Sequence, residues 1–451
     1  MIAANAIPTS SPRKDESTGL TSRRIDHVVV LGANGTMGYG SGALFTTAVP
    51  RVTFLARTKE KADQGLAAAI KMVRSPTVAD RVQTGSYDDL ERVLADADLI
   101  FEAVTENLTL KQEYFQRIDR ARRPDSIVAT VTSGLSINQL AEGRSESFRK
   151  HFLGLHFFNP ANVIVGTELI PNKDTDPKLV DFVEEYSRRQ LGRVIIRTAD
   201  RPGFAGNRVG FKVLNEVAQL AEEHGPLLMD RVVGPYTGRA LTPLATIDLV
   251  GWDIHRAIVD NIYALAEDEA HATLKLPAYM DRLMQSGTLG TKSGKGFFRR
   301  EGKVAHVLDP KTGNYMPASD VRLPKLPYIE DVSRLHRVGR YEEAMQIFAD
   351  APGDEAALAR KVIAGYISYS FNRVGDVVDS ITAIDLIMGF GFNWAPPSVL
   401  VDTLGIQRTV TMIKNAGLPL PKLLAAAQRS GSTQKFFTHS TGNIGRYFVA
   451  G

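Results

Sequence analysis

The sequence predicts an α/β domain built on a doubly wound, mostly parallel sheet, followed by a helical module that occurs twice. From His27 to Arg197, short apolar runs typical of buried strands alternate with helical patterns, as in a parallel sheet with helices on both faces. Helical patterns dominate after Arg201. There, Pro243–Gly251 (PLATIDLVG) is echoed by Pro397–Gly405 (PSVLVDTLG) at an offset of 154 residues (397 − 243). One helical module is therefore expected in two copies.

Composition limits the classes of protein to which the chain can belong. Its 451 residues are enough for two or three domains. Its 43% hydrophobic and 23% charged residues are typical of a soluble globular protein, and a formal net charge of +4 does not indicate a nucleic-acid partner. The absence of cysteine excludes disulfides, thiolate catalysis and cysteine metal sites. The nine histidines show neither HxxxH nor HxH spacing, so no metal site is expected.

Residues 1–24 predict a flexible tail. They are polar, include Pro8 and Pro12 with mixed charge, and lack the apolar core of ~7–15 residues that a secretory signal needs. No apolar run in the chain approaches the ~20 residues needed to span a bilayer. We therefore expect a cytoplasmic protein without membrane association.

The first predicted strand leads into a glycine-rich turn. His27–Leu31 (HVVVL) is followed by GANGTMG and then by a helical pattern. A strand, a glycine turn and a helix open a Rossmann-like dinucleotide-binding fold, in which a pyrophosphate sits on the helix N-terminus. The spacing G-x-x-G-x-x-G is one residue longer than usual before the second glycine, which leaves open which glycine faces the cofactor. The candidate cofactor-binding residues are Gly32, Asn34, Gly35, Thr36, Met37 and Gly38.

The end of the second strand bears on the choice between NAD and NADP. An acidic residue is expected there to bind the ribose hydroxyls of NAD. Val52–Ala56 is followed instead by Arg57 and Thr58, which could pair with a 2′-phosphate. The alternative is a solvated basic loop. The residues favour NADP slightly, with Arg57 and Thr58 as candidate contacts.

Polar residues also follow two later strands. The run Leu99–Val104 ends near Glu106, with Lys111 a turn into the next helix, and the run Ile127–Val131 ends near Ser133. Ligands bind at the carboxyl ends of the strands in sheets of this kind. Ser133 is either a plain turn or cap residue or a hydroxyl directed at a substrate.

The stretch HFLGLHFFNPANVIVGTELI, residues 151–170, contains a candidate catalytic pair. A short buried strand delivers His156, and Pro160 interrupts the ladder because it has no amide hydrogen. A second extended run carries Glu168, and a separation of 12 residues (168 − 156) allows two strands joined by a turn. A carboxylate on one ring nitrogen fixes the tautomer and makes the other a competent general base. A core histidine with an edge glutamate is the alternative.

Pattern changes suggest five segments. They are a tail (1–24), a dinucleotide-binding domain (25–200), a helical substrate and dimerisation domain (201–300), a linker with a hairpin (301–352) and a second helical copy (353–451). Pro317, Pro324 and Pro327 favour the linker.

Two shorter echoes accompany the helical repeat. Asn207–Gly210 recurs as Asn372–Gly375 (both NRVG), and the glycine turn after Lys292 is matched by Ser440–Tyr447. Asn207 lies early in its predicted helix, where an amide either caps the turn or reaches across a domain cleft. Asn372 is interpreted as structural. The two copies could pack together as a homodimer's helical domains would, giving a pseudo-dimeric monomer or a homodimer.

Several motifs in the same order resemble the 3-hydroxyacyl-CoA dehydrogenase family. The resemblance runs from about Asp26 to Phe298, with the duplicated helical domain of the longer members beyond it. It implies a Rossmann-like domain followed by an all-α, 6-phosphogluconate-dehydrogenase-like helical domain in two copies. The matching motifs are Glu102-Ala-Val-x-Glu106-Asn107, Thr132-Ser133, His156-Phe-Phe-Asn159-Pro160 with Glu168, and Pro202-Gly203-Phe204-x-x-Asn207-Arg208.

The resemblance implies an NAD- or NADP-dependent oxidoreductase of fatty-acid β-oxidation. His156 would be the general base and Glu168 would orient it. Ser133 and Asn207 would hydrogen-bond the reacting oxygen or the thioester carbonyl, and Asn159 would support the histidine loop. The remaining implied cofactor contacts are Glu106 and Lys111.

Three departures from the family pattern bear on the substrate. Val131 stands where the family usually has asparagine, a lysine is missing from Val163–Gly166, and the region Ala62–Asp89 is short. An acyl-CoA is the expected substrate. A small 3-hydroxy acid, as in carnitine and gulonate dehydrogenases, and a non-catalytic λ-crystallin-like relative are the alternatives.

Overall fold

The computed structural model describes residues 23–438 and 444–448. The predicted tail therefore lies almost entirely outside the described residues. The strands are β1 (His27–Leu31), β2 (Arg51–Ala56), β3 (Val82–Ser86), β4 (Leu99–Glu102), β5 (Ile127–Thr130), β6 (Phe152–Phe157), β7 (Gly166–Pro171), β8 (Val194–Arg197), β9 (Phe298–Glu301), β10 (Val304–Leu308) and β11 (Tyr315–Pro317).

Helices surround the large sheet and make up most of the chain after residue 205. The helices are α1 (Thr36–Phe45), α2 (Lys59–Val73), α3 (Leu90–Leu94), α4 (Leu108–Ala121), α5 (Ile137–Ala141), α6 (Glu146–Lys150), α7 (Pro177–Arg189), α8 (Gly206–His224), α9 (Pro226–Val232), α10 (Pro243–Val250), α11 (Trp252–Leu265), α12 (Ala278–Gln285), α13 (Pro327–Arg337), α14 (Tyr341–Asp350), α15 (Asp354–Asn372), α16 (Ile381–Phe390), α17 (Pro397–Leu404), α18 (Ile406–Asn415), α19 (Lys422–Ser430) and α20 (Gly445–Phe448).

The N-terminal sheet has eight strands in the order β3-β2-β1-β4-β5-β6-β7-β8. All neighbours are parallel except β6 and β7, which confirms the predicted mostly parallel sheet. The sequence pattern did not indicate β3, because Val82-Gln-Thr-Gly-Ser carries one large apolar side chain. At the sheet edge Gln83 is exposed and Thr84 and Ser86 are only partly covered, so the apolar run that marks a central strand is not required.

Successive residues of the central strand β1 point to opposite faces of the sheet and belong to two separate hydrophobic cores. Val28 and Val30 pack with α1, α2 and α7 on one face of the sheet. Val29 and Leu31 pack with α3 and α4 on the other face. Helices on both faces make the sheet doubly wound, as predicted, and leave its carboxyl edge open for a ligand.

The predicted helical repeat is present at α10 and α17. Both helices begin at the matched prolines, and α11 and α18 follow each after a single glycine. Asp248 accepts hydrogen bonds from the amides of Phe297 and Phe298 at 2.9 and 3.0 Å. Asp402 accepts hydrogen bonds from two successive amides, those of residues 436 and 437, both at 2.9 Å. In each copy, the carboxylate of the repeated aspartate therefore accepts hydrogen bonds from two successive backbone amides.

The other two echoes are not structural equivalents. Asn207 is the second residue of α8, whereas Asn372 is the last residue of α15. The segment that ends in Phe436 and Phe437 corresponds to the glycine turn, because the amides of these two residues bind Asp402 as those of Phe297 and Phe298 bind Asp248. Residues 440–443 of the proposed closing turn lie outside the described residues.

The predicted linker is largely structured. Residues 298–317 form an antiparallel three-stranded sheet, and α13 and α14 follow. Pro327, one of the three prolines that favoured a linker, is the first residue of α13. Proline is tolerated there because the first amide of a helix has no intrahelical partner.

The two helical copies share one hydrophobic core. Helix α8 of the first copy packs against α15 of the second, and Val213 and Ile367 belong to the same buried cluster. Among the described helices, none combines the length and the apolar character that crossing a bilayer requires.

Candidate active site

His156 and Glu168 face each other across the only antiparallel strand pair in the large sheet. They are direct partners in the β6–β7 register. Nδ1 of His156 lies 2.7 Å from Oε2 of Glu168. A carboxylate only accepts hydrogen bonds, so Nδ1 carries the proton and the lone pair lies on Nε2.

The Glu168 carboxylate is held at both oxygens. It is fully buried, and Oε1 accepts hydrogen bonds from the amides of Ala205 and Gly206 at 2.8 and 2.9 Å. These amides lie at the start of α8, where first-turn N–H groups have no intrahelical acceptor. The beginning of the helical domain therefore fixes the orientation of the glutamate, and the glutamate fixes the imidazole.

The His156 ring lies among aromatic rings. The Phe158 and Phe204 ring centroids are 4.8 and 5.8 Å from it. Nε2 makes no hydrogen bond to any residue between 23 and 438 or between 444 and 448, and only 4% of His156 is exposed. Nε2 is therefore the ring atom that remains for a substrate.

Asn207 joins the two domains at this point. Its Nδ2 donates to the Ser133 carbonyl oxygen at 3.2 Å, and Asn261 of α11 donates in the same way to Gly134 at 2.9 Å. Sequence reasoning missed Asn261, because a mid-helix asparagine carries no local signal. The loop after β5 is thus held by two amides from the helical domain.

Glu106 is bound to the same loop. Its Oε1 accepts from the Thr132 hydroxyl at 2.5 Å and from the Ser133 amide at 2.9 Å. Lys111 lies 3.4 Å from the other oxygen. These contacts fix the Glu106 carboxylate at the carboxyl edge of the sheet.

The Lys111 ammonium pairs mainly with Glu102. Nζ lies 2.7 and 2.9 Å from the two Glu102 oxygens and 3.3 Å from the Val104 carbonyl oxygen. Thr130 also donates to Glu102 at 2.5 Å. Lys111 and Glu102 are buried, so this ion pair is part of the scaffold beneath Glu106. Sequence reasoning had given Glu102 no role.

A cleft of about 1180 Å³ lies between the sheet edge and α11. The predicted site residues that line it are Gly32, Asn34, Gly35, Thr36, Met37, Arg57, Glu106, Lys111 and Ser133. The predicted residues outside its lining are Gly38, Thr58, His156, Glu168, Asn159 and Asn207. Gly203, which precedes the Phe204 ring beside His156, lines the cleft, so the imidazole is adjacent to it.

The glycine turn leaves room for a phosphate at Gly35. Gly32 has φ of 77°, and a Cβ there would lie 2.2 Å from the Ala103 carbonyl oxygen. A Cβ on Gly38 would lie 2.1 Å from the Gly32 carbonyl oxygen, so Gly38 allows α1 to approach the turn closely. A Cβ on Gly35 would meet nothing closer than 3.4 Å. Gly35 also caps α1 without a side-chain hydrogen bond, so the first amides of α1 are available to an anion.

Arg57 and Thr58 have different roles. Arg57 is exposed, lines the cleft and forms no ion pair with any described residue. The Thr58 hydroxyl caps α2 by accepting from the Lys61 amide at 3.4 Å, and Thr58 lies outside the cleft lining. Tyr87 and Tyr114 line the cleft beside Arg57, with ring centroids 4.9 Å apart.

Asn159 has no contact that explains the predicted support of the histidine loop. Its side chain is exposed and makes no hydrogen bond within the described residues. No group of three or more histidine, aspartate and glutamate side chains in residues 23–438 and 444–448 could hold a metal ion.

Comparison with known families accounts for this combination of sheet, cleft and histidine–glutamate pair. The model of the 3-hydroxyacyl-CoA dehydrogenase NAD-binding domain matches residues 27–201. The model of the C-terminal domain of the same enzymes matches residues 203–300. The chain belongs to the 3-hydroxyacyl-CoA dehydrogenase family. The nicotinamide cofactor implied by the glycine turn agrees with this assignment.

Individual relatives lead to the same family. A probable 3-hydroxyacyl-CoA dehydrogenase of Bacillus subtilis is 31% identical over 371 residues, which cover 81% of this chain and 46% of that protein. The chain thus spans about half the length of this curated relative. The crystal structure of (S)-3-hydroxybutyryl-CoA dehydrogenase from Ralstonia eutropha is 28% identical, with a TM-score of 0.53 over 60% of this chain and 98% of that one.

A third comparison extends the fold over both helical copies. A crystal structure of Escherichia coli 3-hydroxybutyryl-CoA dehydrogenase has a TM-score of 0.66 and covers 91% of this chain and all of that one, at 21% identity. At that identity the likeness concerns the fold alone. The fold likeness therefore extends beyond the residues that the two family models match.

Proposed function

We propose that this protein transfers hydride between a nicotinamide cofactor and the 3-hydroxyl or 3-oxo carbon of an acyl-CoA, as in fatty-acid β-oxidation. The observation that carries the proposal is the His156–Glu168 pair, 2.7 Å apart beside the cleft. Family membership supports the acyl-CoA substrate over the small 3-hydroxy acid and over a non-catalytic relative.

In this proposal His156 is the general base. Nε2 accepts the proton of the 3-hydroxyl group, and the Glu168 carboxylate stabilises the positive charge that forms on the ring. The bound nicotinamide supplies the hydride acceptor. General-base catalysis of this kind typically contributes ~10²–10⁴-fold to the rate.

Ser133 and Asn207 are proposed to bind the substrate oxygens. The Ser133 hydroxyl makes no hydrogen bond within the described residues, and Ser133 lines the cleft. The Asn207 amide already donates to the Ser133 backbone carbonyl, so the two residues are neighbours at the domain boundary. An alcohol or thioester carbonyl bound there would be next to the His156 ring.

The residues around the glycine turn fit a dinucleotide. Gly35 gives the backbone access to the cleft, and the amides of Thr36 and Met37 open α1 without a cap. Arg57 is proposed to bind the 2′-phosphate of NADP, because its guanidinium lies at the cleft with no ion-pair partner in the described chain. Glu106 is proposed to face the nicotinamide end, and Lys111 to act through it.

Turnover of acetoacetyl-CoA tests the proposed function. We expect consumption of NADH or NADPH with acetoacetyl-CoA, and little with free acetoacetate. A His156→Ala variant is the matched control, since it removes the base and leaves the glycine turn intact. Turnover with the free acid alone would replace the acyl-CoA assignment, and binding of the cofactor without any turnover would support a non-catalytic relative.

A further inference from the structure

The second helical copy packs against the aromatic ring that lies beside His156. We propose that Phe392 is a positioning residue that holds His156 in place through Phe158. This inference rests on the proposed function, because it assigns a role in the reaction of His156. It gives the second copy a part in the chemistry although that copy lies outside the cleft lining.

Phe392 projects from a tightly turned helix end. The amides of Gly391 and Phe392 both donate hydrogen bonds to the Ile387 carbonyl oxygen, at 2.8 and 3.3 Å. The Trp394 amide donates to the Met388 carbonyl oxygen at 3.0 Å. Asn393 adopts a positive φ of 54°, which completes the turn. The backbone that carries Phe392 is therefore fixed by its own helix.

The Phe392 ring fills a slot on α8 that only glycine leaves open. A Cβ on Gly210 would lie 2.3 Å from the Phe392 ring. The Phe211 and Trp394 rings lie 6.4 and 5.3 Å away and flank the ring. Phe392 therefore has little freedom to turn away from α8.

On its other side Phe392 contacts the histidine loop. The Phe158 and Phe392 rings meet at 67° with centroids 5.7 Å apart, and Phe158 lies 4.8 Å from the His156 ring. Edge-to-face contacts of this type constrain ring orientation as well as burying area. Phe158 is thus held between the imidazole and the second copy.

The second copy also packs against the backbone segments that carry and hydrogen-bond Glu168. A Cβ on Gly206, whose amide bonds Glu168, would lie 2.8 Å from Phe158 and 3.0 Å from Ile387. A Cβ on Gly166, at the start of β7, would lie 2.7 Å from the Gly391 nitrogen. The strand that carries Glu168 and the helix start whose amide binds it are therefore both packed against the end of α16.

A kinetic comparison of Phe392→Leu with wild type tests the proposal. Because displacement of a catalytic group by a fraction of an ångström is costly, we expect kcat with acetoacetyl-CoA to fall about 10-fold. The KM and the cofactor affinity should stay the same, since Phe392 touches neither site. Phe392→Tyr, which keeps the ring, should restore kcat.

Phe436→Leu is the matched control. Phe436 is partly buried in the second copy and meets Phe371 edge-on at 5.4 Å, as Phe392 meets Phe158. We expect it to lose stability without losing kcat. If both leucine variants lose kcat in proportion to their melting temperatures, Phe392 is only structural and the proposal is wrong.

A double-mutant cycle with Phe158→Leu tests the route of the effect. If Phe392 acts through Phe158, the double variant should lose no more kcat than Phe158→Leu alone. Additive losses would contradict that route.

Hydrogen exchange of residues 152–168 separates this inference from the proposed function. Exchange should rise in Phe392→Leu and not in Phe436→Leu, whether or not acetoacetyl-CoA is turned over. A wild type without turnover would remove the proposed function, whereas unchanged exchange in Phe392→Leu would remove the positioning role.

Discussion

Nη1 of Arg373 lies 2.9 Å from Oδ2 of Asp268, so a side chain of the second helical copy pairs with a carboxylate of the first. The same oxygen accepts hydrogen bonds from Arg208 at 2.7 Å and from Tyr369 at 2.8 Å. Burial alone would raise the pKa of Asp268, but the bonds from Arg208 and Tyr369 hold it below its usual value. The network lies one residue from Asn207, and it joins the two copies beside the proposed site.

Replacing Arg373 should loosen this junction. Arg373→Met removes charged hydrogen bonds to Asp268 and Glu269, and we expect unfolding free energy to fall by about 1.5–3 kcal/mol. Arg208 and Tyr369 still satisfy Asp268, so the loss should be limited. Urea unfolding measures it. The control is Arg408→Met, whose exposed pair with Asp350 should contribute less than about 1 kcal/mol. Equal losses in both variants would contradict the assignment.

Breaking the buried Lys111–Glu102 pair below Glu106 should lower the free energy of unfolding more than replacing Arg373. Lys111→Met leaves the Glu102 carboxylate buried without its cation, so we expect a loss of about 3–5 kcal/mol in urea unfolding. Lys59→Met is the control, because Lys59 pairs with Asp63 on the exposed face of α2. A Lys111→Met variant as stable as wild type would mean that Glu102 needs no cation there.

Acid should destabilise the protein through a buried histidine. Burial lowers the pKa of His336 to about 4, and neither ring nitrogen has a hydrogen-bond partner in the described chain. Between pH ~6.5 and 4 the unfolded chain binds a proton that the folded chain does not, so stability is full above pH ~6.5 and falls as the pH drops. His336→Phe removes this titration and keeps the ring packing against Phe448.

The size of the effect follows from the pKa difference. Each pH unit in this window costs about 1.4 kcal/mol, so wild type should lose about 2 kcal/mol more than His336→Phe between pH 7 and pH 5. Urea unfolding at the two pH values gives the comparison. The same loss in both proteins would show that His336 takes up its proton without unfolding.

Arg57 should decide between the two cofactors. Removing a charged hydrogen bond to a phosphate costs about 1.5–3 kcal/mol, so Arg57→Ser should weaken NADPH about 10- to 100-fold and leave NADH unchanged. Fluorescence titration with both cofactors measures this. Lys59→Ser is the control, since its ammonium pairs with Asp63. Equal wild-type affinity for NADH and NADPH would leave the 2′-phosphate contact without support.

Part of the site was predictable because it depends on local spacing. The sequence separation of 12 between His156 and Glu168, with Pro160 in the intervening segment, is compatible with two strands and a turn, and the structure has that register. The glycine turn was predictable for the same reason. The sheet and the helical repeat are likewise local patterns repeated along the chain.

The site features that the sequence did not predict depend on contacts between elements, and the residue type at one position does not specify such contacts. A threonine at a strand end can bind a phosphate or cap a helix, and Thr58 caps α2. Glu102 and Lys111 form a buried pair because β4 and α4 pack together, and neither element alone indicates that contact. The NRVG repeat did not predict structurally equivalent positions, because four matching residues at Asn372 give no information about position within a helix.

The central claim concerns the proton that His156 takes from the substrate. Stopped-flow measurement of hydride transfer in His156→Ala, with cofactor affinity measured in parallel, tests it most directly. We expect the rate to fall by ~10²–10⁴-fold while NADH and NADPH bind as they do to wild type. A variant that transfers hydride at the wild-type rate would contradict the account, whatever else the cleft binds.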